Sequence, residues 1–327
     1  MTTPEGIPEA ELEYLAVAEH AVRTSGGADA LDALGWWDLL PQLDDPDLRA
    51  AVFALFRAQG RQMAGSAALG GLLAQPYLDG TAITTGTVVA TVRRESPRRG
   101  PVHLVVGEVD DGRQLLLDRP GHGAAVVGLD AVGLRPLGRP GGLPLHEVEI
   151  DWSRSTPTID EPRAAIGRAR STFLGQVALA LEILGAAETA VDLAIDHATQ
   201  REQFGEPIGR FQAVRHLLAW ARTDCVAVDA VTRKAVALDT ASPPRYGDVV
   251  KAIAGRNGRR ACERALQVLG GIGFTAEHDH HHHHSRVLAL DALLGTSADL
   301  THDLGRWLRT GGTDPGYATA VLVPAAR

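Results

Sequence analysis

Arg201, Gln203 and Phe204 stand together in the run Arg-Glu-Gln-Phe-Gly. A guanidinium presents a fixed fork of donors to phosphate or carboxylate, and a phenyl ring offers a flat apolar surface to a heterocycle, so the group suits a nucleotide cofactor. An ordinary helix connection with a solvated arginine would use the same residues. Farther on, Gln267-Val-Leu-Gly-Gly-Ile-Gly-Phe274 sets an amide ahead of glycines. The amide can pair with ribose or adenine, and the glycines let the backbone approach a bulky ligand, although helix ends use glycine in the same way. Glu182 is the only charge between Phe173 and Ala187, which reads as a buried, paired carboxylate. His280 and His284 have the i,i+4 spacing that can clamp a metal on a helix. Five successive histidines cannot share one ligand, so an exposed titratable helix is the expected form and no metal is expected.

These side chains need elements to hold them. Over residues 162–200, Leu174, Val177, Leu181 and Leu184 recur at spacings of three and four, a helical period. The helix is apolar nearly all round and must be buried by other helices or by another subunit; a lone chain would expose it. It stops at Gln200, a turn of Gly205, Glu206, Pro207 and Gly209 follows, and a second helix starts at Phe211. Helices over 211–238 and 249–269 flank a break at Ser242-Pro-Pro-Arg-Tyr-Gly-Asp248, and shorter ones follow Glu277 and Ser297, giving a bundle of about four helices. Ahead of the bundle, 10–24, 28–40 and 47–73 read as helices, with Trp36 and Trp37 as packing residues. Between them the period changes to two over 88–92, 102–109, 114–118, 124–129 and 145–150, a small antiparallel sheet.

With 327 residues the chain can bury a sizeable core and hold two or three sub-domains. A net charge of −8 and a pI near 5.9 argue against binding to nucleic acid or anionic membranes. Cys225 and Cys262 sit in helical patterns and read as buried reduced thiols. No secretion signal or membrane-length apolar run is visible, so a cytoplasmic location is expected.

The run from Arg201 to Ala219 resembles the acyl-CoA dehydrogenase family, whose signature Arg-x-x-Phe-Gly-x-Pro-Ile-x-x-Phe-Gln it follows; Gln267 to Phe274 is a second match, and Leu34-Gly-Trp a third. The resemblance implies an α+β, mostly α fold: a shortened N-terminal helical domain at 1–78, a shortened antiparallel β domain at 79–152 and a C-terminal four-helix bundle at 160–327. It implies FAD-dependent α,β-dehydrogenation of an acyl-CoA, of the kind used in fatty acid or steroid side-chain degradation. In that family the bundle of one subunit grips the ADP half of a flavin whose ring sits in its neighbour's β domain. By position, Arg201, Gln203 and Phe204 would reach pyrophosphate and adenosine, Phe211 and Gln212 would lie close by, and Gln267, Gly270 and Gly271 would complete the half-site.

The family's catalytic carboxylate would fall at Gly175 or Leu294, and neither can act as a base. Glu182, roughly 10 Å along the same helix face from Gly175, is the remaining substitute. Residues 76–88 lack the family's flavin-facing loop, and Ser285 replaces a usual arginine. The expectation is therefore a subunit that shares FAD with a longer, base-bearing homologue in an α2β2 assembly. The alternatives are a flavin-free homo-oligomeric pseudoenzyme or scaffold, and a self-sufficient flavoenzyme with a displaced base.

Overall fold

The computed structural model describes residues 9–310 apart from 82, 85, 97–99, 109–111 and 239–244. The chain opens with α1 (Glu9–Ala33), kinked at Gly26, where φ is 78°. The short α2 (Trp36–Leu39) follows a left-handed Gly35. The break expected between residues 24 and 28 falls at Gly26, whose φ of 78° and ψ of 178° are not helical, while the second segment, expected to run to residue 40, stops at Ala33 and the chain turns again at Gly35. Asp45 starts α3 (Pro46–Gln62) by accepting from the backbone N–H of Asp47 at 2.9 Å and Leu48 at 3.2 Å, with Pro46 pre-set for the first turn.

The single helix expected over 47–73 is in fact two. Met63 closes α3 in the left-handed region, at φ 54°. The Ser66 hydroxyl then accepts from the Ala68 N–H at 3.1 Å and from Gln59 Nε2 at 2.5 Å, tying the start of α4 (Ala68–Leu78) back to α3. Trp36 is buried, its indole N–H donating to the Val52 carbonyl.

The strands are β1 (Val88–Ala90), β2 (Val92–Ser96), β3 (Gly100–Val106), β4 (Gln114–Arg119), β5 (Gly123–Gly128), β6 (Gly133–Gly138) and β7 (Leu145–Glu149). They form two small sheets, ordered β1-β4-β5 and β2-β3-β7-β6. Pairing is antiparallel except between β1 and β4, which run parallel. Strand β6 lacks a period-two signal because its side chains are mostly exposed and Pro136 and Gly138 bracket a register shift.

Asp160 caps α5 (Glu161–Gln200), a 40-residue helix around which the rest is packed. Next come a two-residue hairpin, β8 (Glu202–Gln203) with β9 (Glu206–Pro207), and then α6 (Gln212–Ala237), α7 (Tyr246–Leu269), α8 (His280–Asp291) and α9 (Ser297–Arg309). The expected break at Ser242–Asp248 lies partly outside the described residues; α7 resumes at Tyr246. The apolar α5 is not exposed: α3, α4, α6, α7 and α8 surround it, and most side chains from Leu174 to Ala198 are buried. Close approach depends on glycine, since a Cβ on Gly185 would collide with the Arg57 carbonyl of α3 and one on Gly258 with Ile183.

Buried charge ties the layers together. Glu188 of α5 accepts from Arg57 and Arg61 of α3, Arg57 also reaches Asp229 of α6 at 2.9 Å, and Arg61 reaches Glu19 of α1 at 2.8 Å. Burial pushes the Glu188 carboxyl up, but the two guanidinium groups outweigh it and hold the group below its ordinary value. Cys225 and Cys262 are buried free thiols, and burial raises both.

Candidate functional site

The end of the bundle where α5 gives way to α6 is a short, bare hinge. The Arg201 N–H closes α5 on the His197 carbonyl at 2.8 Å, and the Ile208 N–H returns to the Arg201 carbonyl at 2.8 Å, which fixes the hairpin between them. Beneath it Ala194 and Ala198 of α5 pack on Ala265, Val268 and Leu269 of α7, with Ile208, Val214, Leu217 and Leu218 around them. This small cluster brings the last turn of α7, with Gln267 and Gly270, to the same end as Arg201.

The polar side chains at that end are exposed and, among the described residues, largely without partners. The Arg201 side chain is exposed and makes no ion pair or hydrogen bond among the described residues. Gln203 is exposed and donates only to its neighbour's carbonyl, Glu202, at 2.8 Å. Phe204 adopts φ 57° and is 94% exposed, its ring edge-on to Phe211 at 6.1 Å. A large aromatic in left-handed backbone with almost all its surface in water is costly on both counts. Gln212 and Gln267 are exposed as well. A methyl added at Gly205, Gly270 or Gly271 would meet nothing within 4 Å, so the backbone there faces open space. His197 lies under the hinge, lowered by burial and then by the nearby charges of His278 and Arg201. These groups fit the ADP portion of a flavin: an unneutralised guanidinium, exposed amides, an aromatic surface and uncovered backbone.

The middle of the same bundle is filled. Gly175 and Leu294, more than a hundred positions apart in sequence, are in contact: a Cβ on Gly175 would lie 2.5 Å from Leu294 Cδ1 and 2.5 Å from Leu73 Cδ2. Gln176 Nε2 donates to the Leu294 carbonyl at 3.2 Å and to Asp248 at 2.8 Å. Lys251, fully buried, donates to the carbonyls of Asp291 at 3.0 Å and Gly295 at 3.2 Å, and burial lowers it to about 8. The turn carrying Leu294 is therefore fixed from both sides and presents hydrocarbon.

Glu182 is engaged elsewhere. Its carboxylate accepts from Arg286 Nε at 2.8 Å, and Arg286, itself fully buried, also donates to the carbonyls of Gly141 at 3.1 Å and Ala64. Burial holds the Glu182 carboxyl above its ordinary value, and the Arg286 guanidinium offsets this only in part. One arginine thus links α8, α5, the α3–α4 connection and the turn before β7.

The histidine run is not the exposed helix expected. His280 and His283 are buried and His284 is half-buried, because the first turns of α8 pack against α7 and the turn at Pro140–Gly142. His280 Nε2 is 2.8 Å from the Cys262 carbonyl. Burial lowers all three, His283 to about 4. Among the described residues no group of three or more His, Cys, Asp or Glu is placed to hold a metal ion, and no helix is long and apolar enough to cross a membrane.

Residues 170–308 match the acyl-CoA dehydrogenase C-terminal domain family. The chain is 32% identical over 273 residues to acyl-CoA dehydrogenase FadE34 of Mycobacterium tuberculosis, covering 82% of this chain and 33% of FadE34. It spans about two fifths of the length of two further curated relatives, 39% of each. Among solved structures, the Tcur3481-Tcur3483 steroid ACAD superposes with a TM-score of 0.73 at 20% identity, over 93% of this chain and 99% of that one. The ChsE4-ChsE5 complex from Mycobacterium tuberculosis gives 0.67 at 19% identity, over 94% and 99%.

Sequence reasoning missed Arg286 and Leu73. Arg286 follows the flagged Ser285, but nothing in its neighbours announces a fully buried cation. Leu73 sits in an apolar run with no signal that singles it out.

Proposed function

We propose, from the match of residues 170–308 to the acyl-CoA dehydrogenase C-terminal domain and the shared fold, that the chain supplies the ADP-holding half of a flavin site to a longer homologue that carries the base. One observation carries the reading. The positions where a base would stand, Gly175 and Leu294, touch each other through hydrocarbon, while the hinge groups keep their hydrogen-bonding capacity unspent.

In this reading Arg201 neutralises the pyrophosphate, Gln203 and Gln267 offer amides to ribose or adenine, and Phe204 with Phe211 supplies an aromatic wall. Gln212 borders that wall, and Gly270 and Gly271 leave the backbone open to the ligand. When bound, FAD would supply the hydride acceptor for the β carbon of an acyl-CoA, held here by Arg201, Gln203 and Gln267. The α proton needs a carboxylate, and Glu182 is occupied by Arg286, so the proton goes to the partner. The assembly is an α2β2 heterotetramer with FAD only where the partner's β domain faces this chain's bundle.

Arg201→Ala should weaken FAD binding by the complex by about 1.5–3 kcal/mol, the value of a hydrogen bond to a charged group. Unchanged affinity would remove Arg201 from the site and the reading with it. In the folded complex Glu182→Gln should leave turnover within a few-fold. A loss beyond about a hundredfold with flavin still bound would return the base role to Glu182.

A further inference from the structure

A cleft of about 1020 Å³ opens beside the first half of α5, on a different side from Gly175. Ala169, Phe173 and Gln176 line it from α5, spaced three and four apart, whereas Gly175 is turned toward Leu73 and Leu294. Phe53 and Leu238 add apolar wall, Tyr246 an aromatic one, and Ile166, 75% exposed, stands among the lining residues. That volume and character suit a small organic ligand.

Four arginines line the cleft, and three are neutralised. Arg168 pairs with Asp118 and Glu161, Arg170 with Asp44 and Asp79, and Arg245 with Asp248. Arg49 is the exception. It is only 5% exposed, its Nε donates to the Val236 carbonyl at 2.7 Å and its Nη1 to the Leu43 carbonyl at 2.7 Å, and no carboxylate lies within ion-pair distance among the described residues. Its Nη2 donates to nothing among them. A buried cation with no counter-charge among the described residues is costly, and here it sits at an apolar cavity large enough to bring one in.

We propose that this cleft is a second ligand site, separate from the cofactor end, for an amphipathic molecule with an apolar body and a single carboxylate head that pairs with Arg49. The guanidinium fork takes the carboxylate, Phe173 and Tyr246 flank the body, and Ile166 covers the remainder. An amphipathic phosphate monoester shares part of this chemistry, but a dianion would leave one charge uncompensated, since the neighbouring arginines are already paired.

The test is calorimetric titration of octanoate into the folded full-length chain, with octan-1-ol and octyl phosphate as the other arms. Saturable octanoate binding at one site, with the alcohol at least about tenfold weaker, is expected, tenfold being about 1.4 kcal/mol. Arg49→Met should weaken octanoate at least about tenfold. Because Arg49 also ties backbone carbonyls, Ala169→Trp serves as the second variant: it fills the cleft from an exposed helix position and should abolish binding. Arg201→Ala should leave octanoate affinity unchanged. No octanoate binding, equal binding to the Ala169→Trp chain, equal affinity for the alcohol, or tighter binding of octyl phosphate would each overturn the proposal.

Discussion

At the hinge end of α5, Arg201, Gln203 and Phe204 are exposed and carry donors and surface that the fold does not use; roughly 28 Å away along the same helix, Glu182 and Arg286 are sealed and consume each other's charge. Both regions contain the residue types that enzymes employ. A polar group already satisfied by its own fold has little left for a ligand. Accessibility and spare bonding capacity therefore separate a binding surface from a structural clamp more reliably than residue type does.

Removing one half of the clamp should give the largest effect. Glu182→Ala leaves Arg286 charged and buried with only carbonyl partners, so unfolding free energy should fall by about 3–5 kcal/mol in denaturant titration. The double variant Glu182→Leu with Arg286→Met should recover much of that loss. A loss below about 1 kcal/mol for the single variant would show that the pair is not a clamp.

The buried histidines sharpen the same contrast through pH. Burial depresses His283 to about 4 from 6.5, so as pH falls the unfolded chain takes up its proton first. Its contribution is fully present above about pH 6.5 and is lost on descending toward pH 4, amounting to about 3 kcal/mol. His103 in β3 is lowered to about 4 by burial and then by Arg93, and adds a loss of the same sign. His283→Gln should reduce the slope of stability against pH between 6.5 and 4 and leave the His103 part. An unchanged slope would place His283 in water.

Paired glycine substitutions test the two regions with one added methyl each. Gly175→Ala drives a Cβ against Leu294 and Leu73 and should cost about 1–3 kcal/mol. Gly271→Ala enters open space and should change stability by less than about 0.5 kcal/mol while weakening flavin binding by the assembled complex. Equal stability costs would erase the distinction between filled and bare.

Much of this was legible beforehand for physical reasons. The three-four spacing of Leu174, Val177, Leu181 and Leu184 gives a helix whose observed limits, Glu161–Gln200, differ from the expected 162–200 by one residue. Of the bundle helices after it, α6 differs by one residue at each end from the expected 211–238, while α7 starts three residues before the expected 249. What failed depended on tertiary contact. Met63 adopts a left-handed conformation that its side chain does not signal, so one expected helix became two. The histidines of α8 are polar in sequence yet buried, because the turn at Pro140–Gly142 packs over them. The contact between Gly175 and Leu294 joins α5 to the turn after α8, a long-range pairing that a linear pattern of apolar residues does not encode. Arg49 was overlooked because its unneutralised state depends on which carboxylates reach its neighbours.

The most direct measurement is the flavin-to-protein ratio of this chain purified alone and together with a longer, base-bearing homologue. The chain alone should be colourless and the complex should hold one FAD per pair of unlike subunits, with FAD lost on Arg201→Ala. Stoichiometric FAD on the isolated chain, together with oxidation of an acyl-CoA, would contradict it.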